Sequence, residues 1–168
     1  MAEVSCARSG VLIVEDFPPF RTFVSTLLHE TSRFDAVYES SDGLEAVEYA
    51  REVNPELIIM DIGLPSLNGI EAARRIREFA PTSKIVFLTQ EGSREVVEEA
   101  RNVGAVGYVQ KSRAASDLSP AVTAVLQGKQ FVSAGLTGFP SADSEGDRAR
   151  STEPSRLPLP CWREELEQ

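Results

Sequence analysis

Five side chains able to do chemistry stand at the ends of short apolar runs. VLIVED delivers Glu15 and Asp16, IIMD delivers Asp61, VFLT delivers Thr89 and GYVQK delivers Lys111. Taken singly, each has a structural reading: Asp16 as a helix cap, Asp61 as the cap of a turn, Thr89 as a strand residue, Lys111 as a solvated charge. Taken together, those readings fail. Carboxylates crowded into one place repel, and one of them protonates unless a counter-charge is near. A hard divalent cation supplies that charge, and oxygen ligands with few protein contacts suit Mg2+. Such an ion, with a hydroxyl and an ammonium around one aspartate, suits a phosphoryl group. Asp61 then reads as a nucleophile on phosphorus, with Thr89 donating to a phosphoryl oxygen and Lys111 offsetting its charge.

Such convergence needs a scaffold that brings distant segments to one edge. The runs 11–14, 34–38, 57–60, 85–88 and 106–109 read as five strands, near-continuously apolar. Between them apolar residues recur at helical spacing. The first helix carries Phe20, Phe23, Val24, Leu27 and Leu28 after Pro18 and Pro19, with His29 beside them as a surface or partly buried residue. Ser41 or Asp42 caps the second, Gly69 opens the third, Ser93 caps the fourth, and Ser116 or Asp117 caps the fifth. Strict alternation of buried strands with amphipathic helices means a parallel sheet covered on both faces. In such sheets the functional crevice lies at the carboxyl ends of the strands, where the five polar groups fall.

The 168-residue chain has 42% apolar residues and a net charge of −9. That charge argues against non-specific binding to nucleic acid, and no direct nucleic-acid contact is expected. Cys6 and Cys161 form neither a metal-spaced cluster nor a disulfide framework, as for incidental thiols in a reducing cytoplasm. No apolar run is long enough to span a membrane, and the first residues do not read as a secretory signal, so a cytoplasmic location is expected. Residues 133–168 are rich in Pro, Ser and charge and read as a mostly disordered tail. Within it LPLPCWREELEQ reads either as incidental or as a docking segment.

VLIVEDFPPFR, LIIMDIGLPSLNGIEAARRIR, IVFLTQEGS and GYVQKS, in this order and spacing, resemble the receiver domain of two-component response regulators. The resemblance covers residues 9–132. It implies a flavodoxin-like, doubly wound five-stranded parallel sheet of order 2-1-3-4-5 with helices on both faces. It makes Asp61 the phosphoacceptor, phosphorylated by a histidine kinase or phosphotransfer protein. Asp16 and Asp61 become Mg2+ ligands, with Glu15 assisting through water and the Gly63 carbonyl as a further ligand. Thr89 and Lys111 would contact the phosphoryl group. Thr89 and Tyr108 would form a switch that reshapes the face of the fourth helix, fifth strand and fifth helix. A homodimer through helices 93–103 and 116–126 is a further implication. The resemblance further implies a signalling receiver rather than an enzyme with a turned-over substrate.

Two positions depart from the family pattern. Gln90 follows Thr89 where a small residue is usual, and Ser112 follows Lys111 where proline is common. Gln90, Glu91 and Gly63 flank the site and are expected to set the rates at which phosphate enters and leaves. LSPAVTAVLQGKQFVS resembles receivers that precede a helix-turn-helix output domain, and the remaining residues show no such pattern. A stand-alone or truncated receiver is therefore expected. Two other readings compete. A pseudo-receiver that never carries phosphate has only Gln90 in its favour. An enzyme on the same scaffold lacks its marks: a phosphatase would want an acid where Gly63 stands, and a flavodoxin would want a neutral phosphate loop where EDFPPF stands.

Overall fold

A computed structural model describes residues 10–31, 33–90, 93–134 and 136. The strands are β1 (Gly10–Val14), β2 (Ala36–Ser40), β3 (Leu57–Asp61), β4 (Lys84–Thr89), β5 (Gly107–Gln110) and β6 (Phe131–Val132). All neighbours pair in parallel, in the order β2-β1-β3-β4-β5-β6. The expected flavodoxin-like order is therefore present, with a sixth strand beyond it. That strand is only two residues long, too short to leave a periodic signal. Gly128 turns the chain back at φ 80°, after which Phe131 donates to the Val106 carbonyl at 3.1 Å and Ser133 to that of Tyr108 at 2.9 Å. Ser133 and Leu136 are buried, although the sequence assigns both to a tail. Residue 135 and residues 137–168 of that tail, Cys161 and Trp162 among them, lie outside the described residues, as does Cys6.

The helices are α1 (Pro18–Glu30), α2 (Gly43–Val53), α3 (Gly69–Phe79), α4 (Arg94–Asn102) and α5 (Ala114–Leu126). Three expected starts are capped by side chains. Asp42 accepts from the Leu44 and Glu45 amides, Asn68 from Glu71, and Ser93 from Val96. The fifth differs. A 3-10 turn (Lys111–Arg113) runs straight into α5, so Ser116 and Asp117 lie inside the helix and cap nothing. Asp117 bonds instead to Ser133 at 2.7 Å and Arg113 at 3.2 Å.

Every residue of β1 and β3 is buried, and Val11, Ile13, Leu57, Ile59, Val86, Leu88 and Val109 pack against Leu118, Val122 and Val125 of α5 in one core. Burial of such side chains contributes about 1.5–3 kcal/mol each. This core fixes where the strand ends lie. The chain after β3 is clamped as well: a Cβ at Gly69 would overlap the carbonyl of Asp61 itself. Helix α3 can start there only because Gly69 has no side chain.

Candidate functional site

Strand β1 ends at Val14, and Glu15 continues its line by donating its amide to the Ser40 carbonyl at 3.0 Å. The Glu15 side chain is fully buried, while Asp16 is exposed one residue later. The turn is held in two ways. Glu15 Oε1 accepts from the Phe17 amide at 3.1 Å, and Arg21 of α1 donates to the Glu15 carbonyl at 2.8 Å. Strand β3 pairs directly with β1 and brings Asp61 alongside, at its buried end. Carboxylate oxygens of Glu15, Asp16 and Asp61 all lie within 4.8 Å of one another.

Lys111 reaches into this cluster from the end of β5. Its ammonium stands 2.8 Å from Glu15 Oε2 and 2.9 Å from Asp61 Oδ2. Asp61 Oδ1 accepts from the Gly63 amide at 3.1 Å. Burial pushes the Lys111 ammonium down, but the bonds to Glu15 and Asp61 outweigh it and leave its pKa raised. For Glu15 the balance is opposite: burial raises its carboxyl, and Lys111 and the Phe17 amide recover only part of that. The difference follows from solvation. Glu15 is wholly out of water, whereas the Lys111 side chain keeps 12% of its surface exposed.

This donor set fits a hard divalent cation. Three carboxylates share one mouth with a single ammonium, which serves both Glu15 Oε2 and Asp61 Oδ2. Oxygen-only ligands with one exposed member, Asp16, leave room for the waters that Mg2+ retains.

Eight of the residues singled out from sequence line one open cleft of about 1010 Å³: Glu15, Asp16, Asp61, Gly63, Thr89, Gln90, Lys111 and Ser112. Thr89 is buried at the end of β4, and Gln90 is exposed next to it. Tyr108 is not in the cleft. It is buried in β5, with its hydroxyl donating to the Ala105 carbonyl at 3.0 Å and its ring 6.4 Å from that of Phe87. Its pKa is pushed up to about 12 by burial, with Arg101 and Arg77 pulling the other way. Glu91 lies outside the described residues, and His29 is exposed on α1, away from the strand ends.

Sequence reading did not place Phe17, Phe20 and Val96 at the site, yet all three line the cleft. For the two phenylalanines a signal existed, since they follow Asp16 by one residue and by one helical turn.

The family model for the response regulator receiver domain matches residues 11–123, and the chain belongs to that family, which is one of signalling modules. DegU of Brevibacillus brevis, a transcriptional regulatory protein, is 33% identical over 130 residues, covering 77% of this chain and 55% of DegU. A crystal structure of a LuxR-family two-component response regulator from Aurantimonas sp. SI85-9A1 matches with a TM-score of 0.70 at 30% identity, over 77% of this chain and 92% of that one. RcsB of Salmonella enterica serovar Typhimurium, solved on promoter P1flhDC with the phosphomimetic BeF3−, has the same fold: TM-score 0.71, 22% identity, 83% of this chain and 70% of that one. The chain spans between 54% and 70% of the lengths of such curated relatives.

These relatives overturn the expectation that no nucleic acid is contacted directly. It rested on the net charge of −9. Relatives of the same family are transcriptional regulators, and RcsB is seen on promoter DNA. Whole-chain charge averages over surfaces, so an acidic receiver is compatible with a DNA-directed protein. Among the described residues no helix is long and apolar enough to cross a membrane.

Proposed function

We propose that this chain is a phosphorylation-switched receiver whose phosphoacceptor is Asp61. One observation carries the reading: three carboxylates within 4.8 Å of one another, met by one half-buried lysine. Asp16 and Asp61 hold Mg2+, with Glu15 behind them and the Gly63 carbonyl as a further ligand. The bound ion supplies positive charge opposite the phosphoryl oxygens. Asp61 Oδ attacks the phosphorus of a phosphohistidine on a histidine kinase or phosphotransfer protein. The new bond is an aspartyl phosphate, and the imidazole leaves with the electron pair of the broken P–N bond. Lys111 gives up its bond to Asp61 and pairs with a phosphoryl oxygen, and Thr89 donates to another.

The switch couples this event to β5, because Tyr108 stands three residues before Lys111 in the same segment. Movement of Thr89 toward the phosphoryl group alters the packing of Tyr108 and the face made by α4, β5 and α5. The output is transcriptional, by analogy with the relatives, through a DNA-directed segment or partner that reads this face, in the cytoplasm. Gln90 and Gly63 flank the entry to Asp61 and set the rates of phosphorylation and hydrolysis, together with Glu91.

Intact-mass analysis after incubation with Mg2+ and phosphoramidate tests the reading. Wild type gains one phosphoryl group and Asp61→Asn gains none; an unmodified wild type, or equal adducts on both, sinks it. Gln90→Ala changes the rate in the same assay if Gln90 crowds the pocket, and an unchanged rate removes Gln90 from that role.

A further inference from the structure

The Lys111 ammonium has three N–H donors, and two of them face the Glu15 and Asp61 carboxylates. Its remaining side is turned toward α1, where it lies 5.1 Å from the centroid of the Phe20 ring. That is within the range at which a cation is attracted by the negative face of an aromatic ring. Phe20 is itself held. Its ring lies 5.7 Å from that of Phe23, and both pack on the core beside Val24 and Leu28. It also lines the cleft that contains Asp61.

We infer that Phe20 is a positioning residue for Lys111: its ring face holds the ammonium over the carboxylate cluster. The physical need is clear. A lysine on a flexible four-carbon stem loses much rotamer freedom when its tip is fixed. Here the stem starts after β5 and its tip must serve β3 and β1, on the far side of β4. Two ionic contacts fix the tip only while both carboxylates are available to it. When Asp61 carries a phosphoryl group and Glu15 faces a cation, the ring is the contact that does not change, so Lys111 stays at the height of the phosphoryl oxygens rather than turning out to solvent. The ring also keeps water off that side of the ammonium, which strengthens its field at Asp61.

The inference rests on the receiver reading for its effect on phosphorylation but not for its effect on Lys111 itself, so two measurements separate them. In the full chain with Mg2+ and phosphoramidate, Phe20→Leu lowers the phosphorylation rate about fivefold, Phe20→Tyr restores it, and Phe34→Leu, which removes another ring packed on the core, leaves it near wild type. In NMR spectra the Lys111 ε-methylene protons are shifted upfield by the ring current in wild type and in Phe20→Tyr, and lose that shift in Phe20→Leu. A wild-type rate in Phe20→Leu, a loss that Phe20→Tyr does not rescue, or an ε-methylene shift indifferent to Phe20 overturns the assignment. A wild type that takes no phosphate overturns the receiver reading alone, and the ring-current shift still decides the role of Phe20.

Discussion

The ends of β3 and β5 carry partners of one ion pair and are built in opposite ways. Strand β3 lies in the middle of the sheet, with β1 and β4 hydrogen-bonded on its two sides and every residue buried. Asp61 leaves it with one oxygen on the Gly63 amide and the chain pinned under Gly69. Strand β5 lies near the edge. It is four residues long, its outer neighbour β6 has only two, and its last residue, Gln110, is half-buried. Lys111 therefore leaves from a short strand through a 3-10 turn and reaches its partners by the length of its own side chain. The proposed phosphoacceptor thus leaves from the strand with the most contacts to break. A group that must respond belongs where few contacts have to break for it to move.

Removing Lys111 breaks this pairing with the largest expected effect. Lys111→Met leaves the wholly buried Glu15 beside Asp61 with no counter-charge, and loss of one partner of a buried pair costs about 3–5 kcal/mol at pH 7.5. The sign with pH follows from the raised carboxyl of Glu15. A group that binds its proton more tightly when folded contributes stability at low pH, lost as pH rises through its folded value. The deficit of Lys111→Met should thus be small near pH 4.5 and grow upward, and added Mg2+ should narrow it. Urea titrations at several pH values, with and without Mg2+, measure this; a deficit independent of both would mean that the centre and the edge are not electrostatically linked.

The next effect isolates the edge. Tyr108 keeps its proton to about pH 12 because ionising it in place would bury a charge. Its folded value lies above the ordinary one, so its share of stability is complete below pH 10 and is lost between pH 10 and 12. Two pKa units correspond to about 2.7 kcal/mol. Lys111, also raised, titrates in the alkaline range too, so the informative quantity is the difference between wild type and Tyr108→Phe. The variant should lose stability less steeply above pH 10 at an otherwise similar fold. Equal slopes in alkaline denaturation would remove Tyr108 from the account.

The contrast between centre and edge also explains what could be read in the sequence. Asp61 and Thr89 were legible because long apolar runs end on them, and a strand that is buried on both faces announces its own end. Glu15 and Asp16 were legible for the same reason. At the edge the signals fail. Strand β6 has two residues and no period. Ser116 and Asp117 look like caps, yet the turn at Lys111–Arg113 has already begun the helix, and tertiary bonds to Ser133 use the Asp117 carboxylate instead. The contact of Phe20 with Lys111 spans 91 positions, 111 minus 20, and no local pattern encodes it. Whole-chain charge misled for a related reason, since it sums surfaces that act separately.

Ser133 gives the smallest effect and the sharpest test of the edge. Its hydroxyl donates to Asp117 at 2.7 Å and accepts from the Gln110 amide at 3.1 Å, one residue before Lys111. It thereby ties the segment after β6 to both α5 and the end of β5. Burial alone would raise Asp117, but its bonds to Ser133, Ser116 and Arg113 together hold its carboxyl below the usual range. A depressed carboxyl contributes stability above its ordinary pKa that is lost as pH falls through the folded value. Ser133→Ala removes the bond to a carboxylate and leaves the Gln110 amide without it, a loss of about 1.5 kcal/mol that should shrink as pH falls through the acid range. Amide exchange should quicken at Gln110 and Val132 and stay unchanged at Ile59 in β3. If exchange quickened equally in β3, the edge would be no looser than the centre, and the division of labour between the two strand ends would have to be given up.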